Sequence, residues 1–164
     1  MISKAMQEAI HEQIKNELYS AYLYLAMSAQ FEAESLPGFA RWMRVQAKEE
    51  TEHAMKFFDY VNDRGGRVFL KAIDAPPLEF GTPLEVFRKV LEHEQKVTSM
   101  INQLYALALK ENDYASQVAL QWFVSEQVEE EKNAALIIEQ LKMFEEHKSG
   151  ILQLDHQLGK RGED

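Results

Sequence analysis

The sequence predicts an all-α protein, an antiparallel four-helix bundle with one long crossover between helices 2 and 3 and a short fifth helix near the C-terminus. Three observations carry that prediction. Four segments of helical length show inward-type residues stepping by three and four, the spacing that gathers side chains on one helix face. Short links join the first segment to the second and the third to the fourth, so each pair reads as an antiparallel hairpin. An offset of 77 positions carries Glu17 to Glu94, Glu50 to Gln127 and His53 to Glu130, as expected for two hairpins related by a pseudo-two-fold.

The first helix is predicted from about Lys4 to Glu34, with the stripe Ile10, Ile14, Glu17, Ala21, Tyr24 and Ser28. Ser35-Leu36-Pro37-Gly38 breaks it, because proline and glycine interrupt helices. The second runs from about Phe39 to Arg64, with the stripe Phe39, Met43, Gln46, Glu50, His53 and Phe57, and stops at Gly65-Gly66. Residues 65–82 then form the crossover. Eighteen extended residues reach roughly 59 Å, more than the roughly 39 Å of a 26-residue helix. So long a link inside a compact domain is best explained by a run along the bundle that makes helices 2 and 3 parallel. Within it, Arg67-Val68-Phe69-Leu70 reads as a short strand, one that a second copy of the chain could pair with.

Thr82-Pro83-Leu84-Glu85 is a capping box with proline at the first helical position. It opens the third helix, to about Glu111, with the stripe Phe87, Val90, Glu94, Val97, Ile101 and Leu104. Asn112-Asp113 separates this from the fourth, Tyr114 to about His147, whose stripe is Leu120, Phe123, Gln127, Glu130, Ala134, Ile137, Leu141 and Phe144. Ser149-Gly150 precedes a tail helix of about 150–159, with Ile151 to Leu158 as its amphipathic stretch. The whole chain, 1–164, is one domain, with the bundle over about 4–147.

Composition narrows the function. With no cysteine, disulfides, thiolate zinc sites and cysteine nucleophiles are excluded. A net charge of −9 opposes nucleic acid and suits a protein that handles cations, though on charge alone a merely acidic surface is the better reading. No apolar run approaches the roughly 18 residues of a membrane span. The first ten residues carry Lys4 and Glu8 and lack a signal-peptide core, so a cytoplasmic location is expected.

The chemistry lies in Glu17, Glu50, Glu94 and Glu130, one carboxylate on each of four inward stripes. An unpaired buried ion costs several kcal/mol, and four of them rival the about 5–15 kcal/mol that hold a domain together. Positive charge must sit among them, and a metal pair is the simplest candidate. Glu50-Thr51-Glu52-His53 is a Glu-x-x-His pair whose i, i+3 spacing puts both side chains on one face. Any one of these glutamates alone reads more readily as a salt-bridged structural residue. Four together with His53 do not. Two rival functions stand beside a metal store: a di-iron enzyme acting on an organic substrate or peroxide, and a purely structural helical oligomer.

On these residues the chain resembles the ferritin family, and specifically the bacterial non-haem ferritins, over essentially its full length. The resemblance implies Glu17, Glu50 and His53 as ligands of a first ferroxidase iron and Glu50, Glu94 and Glu130 as ligands of a second, with Glu50 bridging. Gln127 matches the glutamine beside that second iron, and Tyr24 the tyrosine near the pair. Glu49, Glu126 and Glu129 match the carboxylates of a bacterial third-iron site, with simple solvated carboxylates nearly as strong a reading. Trp122 also sits where bacterial ferritins resemble one another.

The departures bear on function. The second hairpin reads Gln127-Val128-Glu129-Glu130 where bacterioferritins and di-iron oxygenases carry a second Glu-x-x-His. One metal therefore lacks an imidazole, which favours loosely held iron passing through over a permanent cofactor. Thr51 stands where bacterioferritins have a haem-binding methionine, so no haem is expected. Gln117 and Leu120 stand where animal ferritins line their three-fold pores with acids. The implied activity is oxidation of Fe(II) by O2 or H2O2, with ferric mineral laid down inside a hollow 24-subunit shell built from dimers. Ile151, Leu152, Leu154 and Leu158 are expected either to line a four-fold channel or to dock on a neighbouring subunit. His93 and His147 fall off the inner stripes and are expected at the surface.

Overall fold

The computed structural model describes residues 1–144 and 147–163. Five helices follow in order: α1 Lys4–Ala33, α2 Pro37–Asp63, α3 Pro83–Lys110, α4 Tyr114–Phe144 and α5 Lys148–Leu158. The predicted continuation of α4 through residues 145 and 146 lies outside the described residues. No described helix is long and apolar enough to cross a membrane.

Local chemistry explains most boundaries. Ser3 caps α1, its Oγ accepting from the Met6 amide at 3.0 Å. The capping box of α3 forms as predicted: Thr82 Oγ1 accepts from the Glu85 amide at 3.3 Å, and Glu85 Oε2 accepts from the Thr82 amide at 2.7 Å. Gly65, at φ 73°, ends α2 in the left-handed conformation that glycine adopts at little cost. Asp113 caps α4, accepting from the Ser116 amide at 3.1 Å, and also pairs with Arg64 at the end of α2.

α2 begins at Pro37, two residues earlier than predicted, because proline is preorganised for the first helical position. Its N-cap, Leu36, makes no side-chain cap. The missing acceptor comes from α5: Asp155 Oδ1 accepts from the Phe39 amide at 2.9 Å. Gly38 makes room for this, since a Cβ there would stand 1.7 Å from the Asp155 carbonyl oxygen. Gly38→Ala is therefore expected to push α5 off the bundle, at a cost of about 1–3 kcal/mol. Thermal unfolding checks this, and an unchanged melting temperature would mean the tail is held some other way.

Two features of the crossover and tail depart from the sequence reading. Among the described residues no strand forms at 67–70. The segment instead lies along α1: the Arg67 carbonyl pairs with His11 Nε2 at 3.0 Å, Phe69 packs edge-on to His11, and Lys71 bridges Glu8 and Glu12. At the other end of α1, Gln30 holds the Phe80 amide and the Gly81 carbonyl. The crossover thus spans the length of α1, which makes α2 and α3 parallel as expected. The tail helix starts at Lys148, so Ser149 and Gly150 lie within it; Gly150 is buried against Phe144. Leu154 and Leu158 are buried in this chain's own core, so neither is free to line a channel or cover a neighbour.

Every stripe residue except Phe144, which is half-buried, is buried. The core is nevertheless split in two. One apolar cluster joins Ala21–Phe31 of α1 with Phe39–Ala47, Leu84–Val90, Ala134–Leu141 and the tail. The other joins Met6–Ile14 with Ala54–Val61, Val97–Ala108 and Leu120–Phe123. On each of the four helices the interval between the two clusters holds one of the glutamates.

Candidate metal centre

The interval is a polar layer crossing the bundle. Glu17, Gln46, Glu50, His53, Glu94, Gln127 and Glu130 are all at most 5% exposed. Glu17, Glu50 and His53 each place one ligand atom within 4.8 Å of the other two, and so do His53, Glu126 and Glu130. The first trio is the one expected for a first metal. His53 Nδ1 lies 3.4 Å from Glu50 Oε2, and its Nε2 lies 3.9 Å from Glu126 Oε1. The Trp122 ring stands edge-on 5.3 Å from the imidazole and shields it, under the Lys56 ammonium.

The second half of the layer is held by amides. Gln46 Nε2 donates to Glu50 Oε1 at 3.0 Å and to Glu130 Oε2 at 2.8 Å, tying α2 to α4. Gln127 Nε2 donates to Glu94 Oε2 and to its backbone oxygen, both at 3.2 Å, tying α4 to α3. The Tyr24 hydroxyl donates to Glu94 Oε1. Glu94 thus faces Tyr24 and Gln127, and it joins neither trio. Glu49 is half-buried beside the layer, whereas Glu129 is exposed and joins neither trio.

The electrostatics are those of a site short of positive charge. Burial, then the neighbouring Glu50, pushes Glu17 well above the ordinary carboxylate range. Burial and Glu50 raise Glu94 to about 8; burial, Glu94 and Glu50 raise Glu130 to about 8. Burial also pushes Glu50 up, but hydrogen bonding to His53 and its charge outweigh this and hold Glu50 below its ordinary value. His53 is raised: burial lowers it, and Glu50, Glu130 and Glu126 more than compensate. Tyr24 is raised well above the ordinary phenol by burial and by the charge of Glu94. Glu17 Oε1 accepts from Gln13 at 2.8 Å, whereas its Oε2 is buried with no hydrogen-bond partner. An unpartnered carboxylate oxygen next to Glu50 and His53 is a position that a cation could satisfy. Hard oxygen donors with one imidazole suit a divalent or trivalent first-row metal.

Several residues of the layer carry no role in the sequence reading. Gln46 had a signal, as a polar residue on an inner stripe one turn before Glu50. Gln13 had none beyond its spacing from Glu17. His93, expected at the surface, is half-buried: it pairs with Ser20 Oγ at 2.7 Å and packs edge-on against Tyr24. A ring at the edge of the stripe is large enough to reach inward. His147 is exposed as expected.

Comparison with known proteins agrees with the geometry. A model of the ferritin-like domain matches residues 7–144. A bacterial non-heme ferritin of Bacteroides fragilis is 46% identical over 161 residues, covering 98% of this chain and 100% of the relative. The one from Staphylococcus aureus is 37% identical, covering 98% and 97%. Among solved structures, an open pore ferritin from the hyperthermophilic archaeon Archaeoglobus fulgidus superposes with a TM-score of 0.97 at 50% identity, covering 98% of this chain and 99% of that one. An engineered closed form of the same ferritin matches with a TM-score of 0.97 at 49% identity.

Proposed function

The chain belongs to the ferritin family, whose relatives support a role in iron storage, and from that premise we propose that it is a ferroxidase. It would bind Fe(II) in the acid layer, oxidise it with O2 or H2O2 and deposit ferric oxyhydroxide inside a hollow shell of 24 copies built from dimers. The observation that carries the reading is the buried layer of Glu17, Glu50, His53, Glu94 and Glu130, with its orphaned Glu17 oxygen and two carboxyls raised to about 8. A purely structural bundle has no use for such a layer, because apolar residues of similar volume would be more stable.

Iron is the substrate here. Glu17, Glu50 and His53 take one ion, and Glu50, Glu94 and Glu130 the other, Glu50 lying between them. Gln127 and Tyr24 orient Glu94 through the bonds they donate to it. Two ferrous ions each give one electron to dioxygen, which with two protons leaves as hydrogen peroxide, and the ferric ions move on. Arrival of the metal displaces protons from Glu94 and Glu130. Glu49, Glu126 and Glu129 form a third position on the way out, with Glu126 reaching His53 and Glu129 contributing from the exposed face. The position that matches His53 in the second hairpin is Glu130, so the second ion has only oxygen donors and leaves readily. No haem is used.

Exposed apolar side chains support assembly: Tyr22 and Leu25 on α1, and Phe69, Leu70 and Leu78 on the crossover. We propose a cytoplasmic location; among the described residues no helix is long and apolar enough to cross a membrane.

The test is to add a large excess of Fe(II) to the metal-free protein under air and assay iron across a native size-exclusion column. Iron co-eluting with a very large species, far above two per chain, is the expected result. About two per chain and no more would indicate a di-iron enzyme instead. Iron precipitating away from the protein would leave a structural bundle.

A further inference from the structure

Arg161 follows α5 in an irregular turn, a place where a long side chain normally moves freely in solvent. Here it is fixed along α2. Its guanidinium donates to Glu49 Oε2 at 2.5 Å, to Gln46 Oε1 at 2.8 Å and to the Trp42 carbonyl at 3.4 Å. It also lies 4.3 Å from the Trp42 ring centre, and its own carbonyl accepts from Arg41 Nε at 3.1 Å. These partners sit on successive turns of α2, so the guanidinium lies on the flank of the helix that carries Glu50 and His53. Through Gln46 it is one side chain away from both Glu50 and Glu130. Among the described residues no other arginine or lysine contacts Glu17, Glu49, Glu50, Glu94, Glu126 or Glu130.

We propose that Arg161 is a displaceable counter-ion for the third metal position: its guanidinium holds Glu49 while that position is empty, and iron takes Glu49 by exchanging with it. The proposal rests on the reading of Glu49, Glu126 and Glu129 as that position. A metal ion on Glu49 would stand close to the guanidinium that already holds Glu49 Oε2 at 2.5 Å, and the two cations repel each other. The bond to Gln46 can persist during the exchange, so the amide that braces Glu50 and Glu130 keeps its orientation while iron passes. Arg161 therefore opposes occupancy of the third position without weakening the inner pair. Its side chain is 20% exposed and that of Glu49 is 37% exposed, so the competition is screened and modest.

The test is calorimetric titration of the assembled, metal-free protein with Zn(II), which fills the sites without redox chemistry. Arg161→Ala is expected to tighten the third Zn(II) per chain about three- to tenfold, with the first two unchanged. Arg161→Lys, which keeps the charge, is expected to restore most of the competition, and Glu49→Gln to abolish the third event. Should the alanine variant fail to assemble, Arg161→Gln, polar but uncharged, carries the same expectation. A third event unchanged or weakened in the uncharged variants, yet abolished by Glu49→Gln, would overturn the counter-ion and leave the third position standing. Two events in every variant, wild type included, would overturn the third position and the counter-ion with it.

Discussion

His53→Ala is expected to slow Fe(II) oxidation by at least about 10- to 100-fold, the range that follows even from removing an outer partner of a metal ligand, while the protein still assembles. Among the described residues His53 is the one imidazole in the two trios that can grip a metal, with Glu17 and Glu50 on one side and Glu126 and Glu130 on the other. Its loss removes a neutral nitrogen ligand and leaves only carboxylates competing for the same ions. The fold does not need it. Apolar clusters lie on both sides of the layer, and Phe57 stacks on Phe123 with ring centres 3.9 Å apart just beyond the imidazole. Stopped-flow absorbance under air gives the rate, and native size exclusion gives the assembly. Oxidation at the wild-type rate would remove His53 from the chemistry. Loss of assembly would show that site and scaffold are not separable.

Raising the pH from 6 to 8 is expected to destabilise the metal-free protein and to strengthen metal binding. The sign follows from the carboxyls. Glu94 and Glu130 titrate at about 8 in the folded chain and near 4.5 when unfolded. Between those values the folded state keeps protons that the unfolded state has released, so stability falls as pH rises, by roughly 1 kcal/mol per pH unit for each proton held. The slope flattens above about 8. His53, raised in the fold, acts in the same direction once the pH passes its unfolded value of 6.5. Glu50, lowered in the fold, contributes only below the window. A bound metal reverses the trend, because it replaces the same protons. Chemical denaturation at pH 6 and pH 8, with and without Zn(II), measures both halves. A metal-free stability that rises or stays level over this range would mean that the layer is already ionised.

Much of this was legible before any coordinates. The stripes through Glu17, Glu50, Glu94 and Glu130 are local facts of spacing, and burial followed them almost without exception. Thr82 and Glu85 sit three residues apart, so their capping box is also a local fact. The segment 67–70, expected to form a strand that a second copy could pair with, finds no partner strand within one chain. Val68 and Phe69 have the composition of a strand, but a strand needs a partner ladder, and α1 offers side chains such as His11, Glu8 and Glu12 instead.

What the sequence determined by itself is the set of buried faces, because a helix repeats every 3.6 residues and its neighbours along the chain lie within one turn. That is enough to name four helices, an acid layer and the residues able to hold metal. Which groups meet across the layer was decided only in three dimensions. Asp155 caps α2 from 116 positions away, and Arg161 reaches Gln46 across 115. Gln46 braces Glu130 across 84. No local pattern encodes such pairs, since periodicity reports that a side chain is buried and not what it is buried against. The packing of α5 onto α2, and the short reach of a hydrogen bond, select the partners.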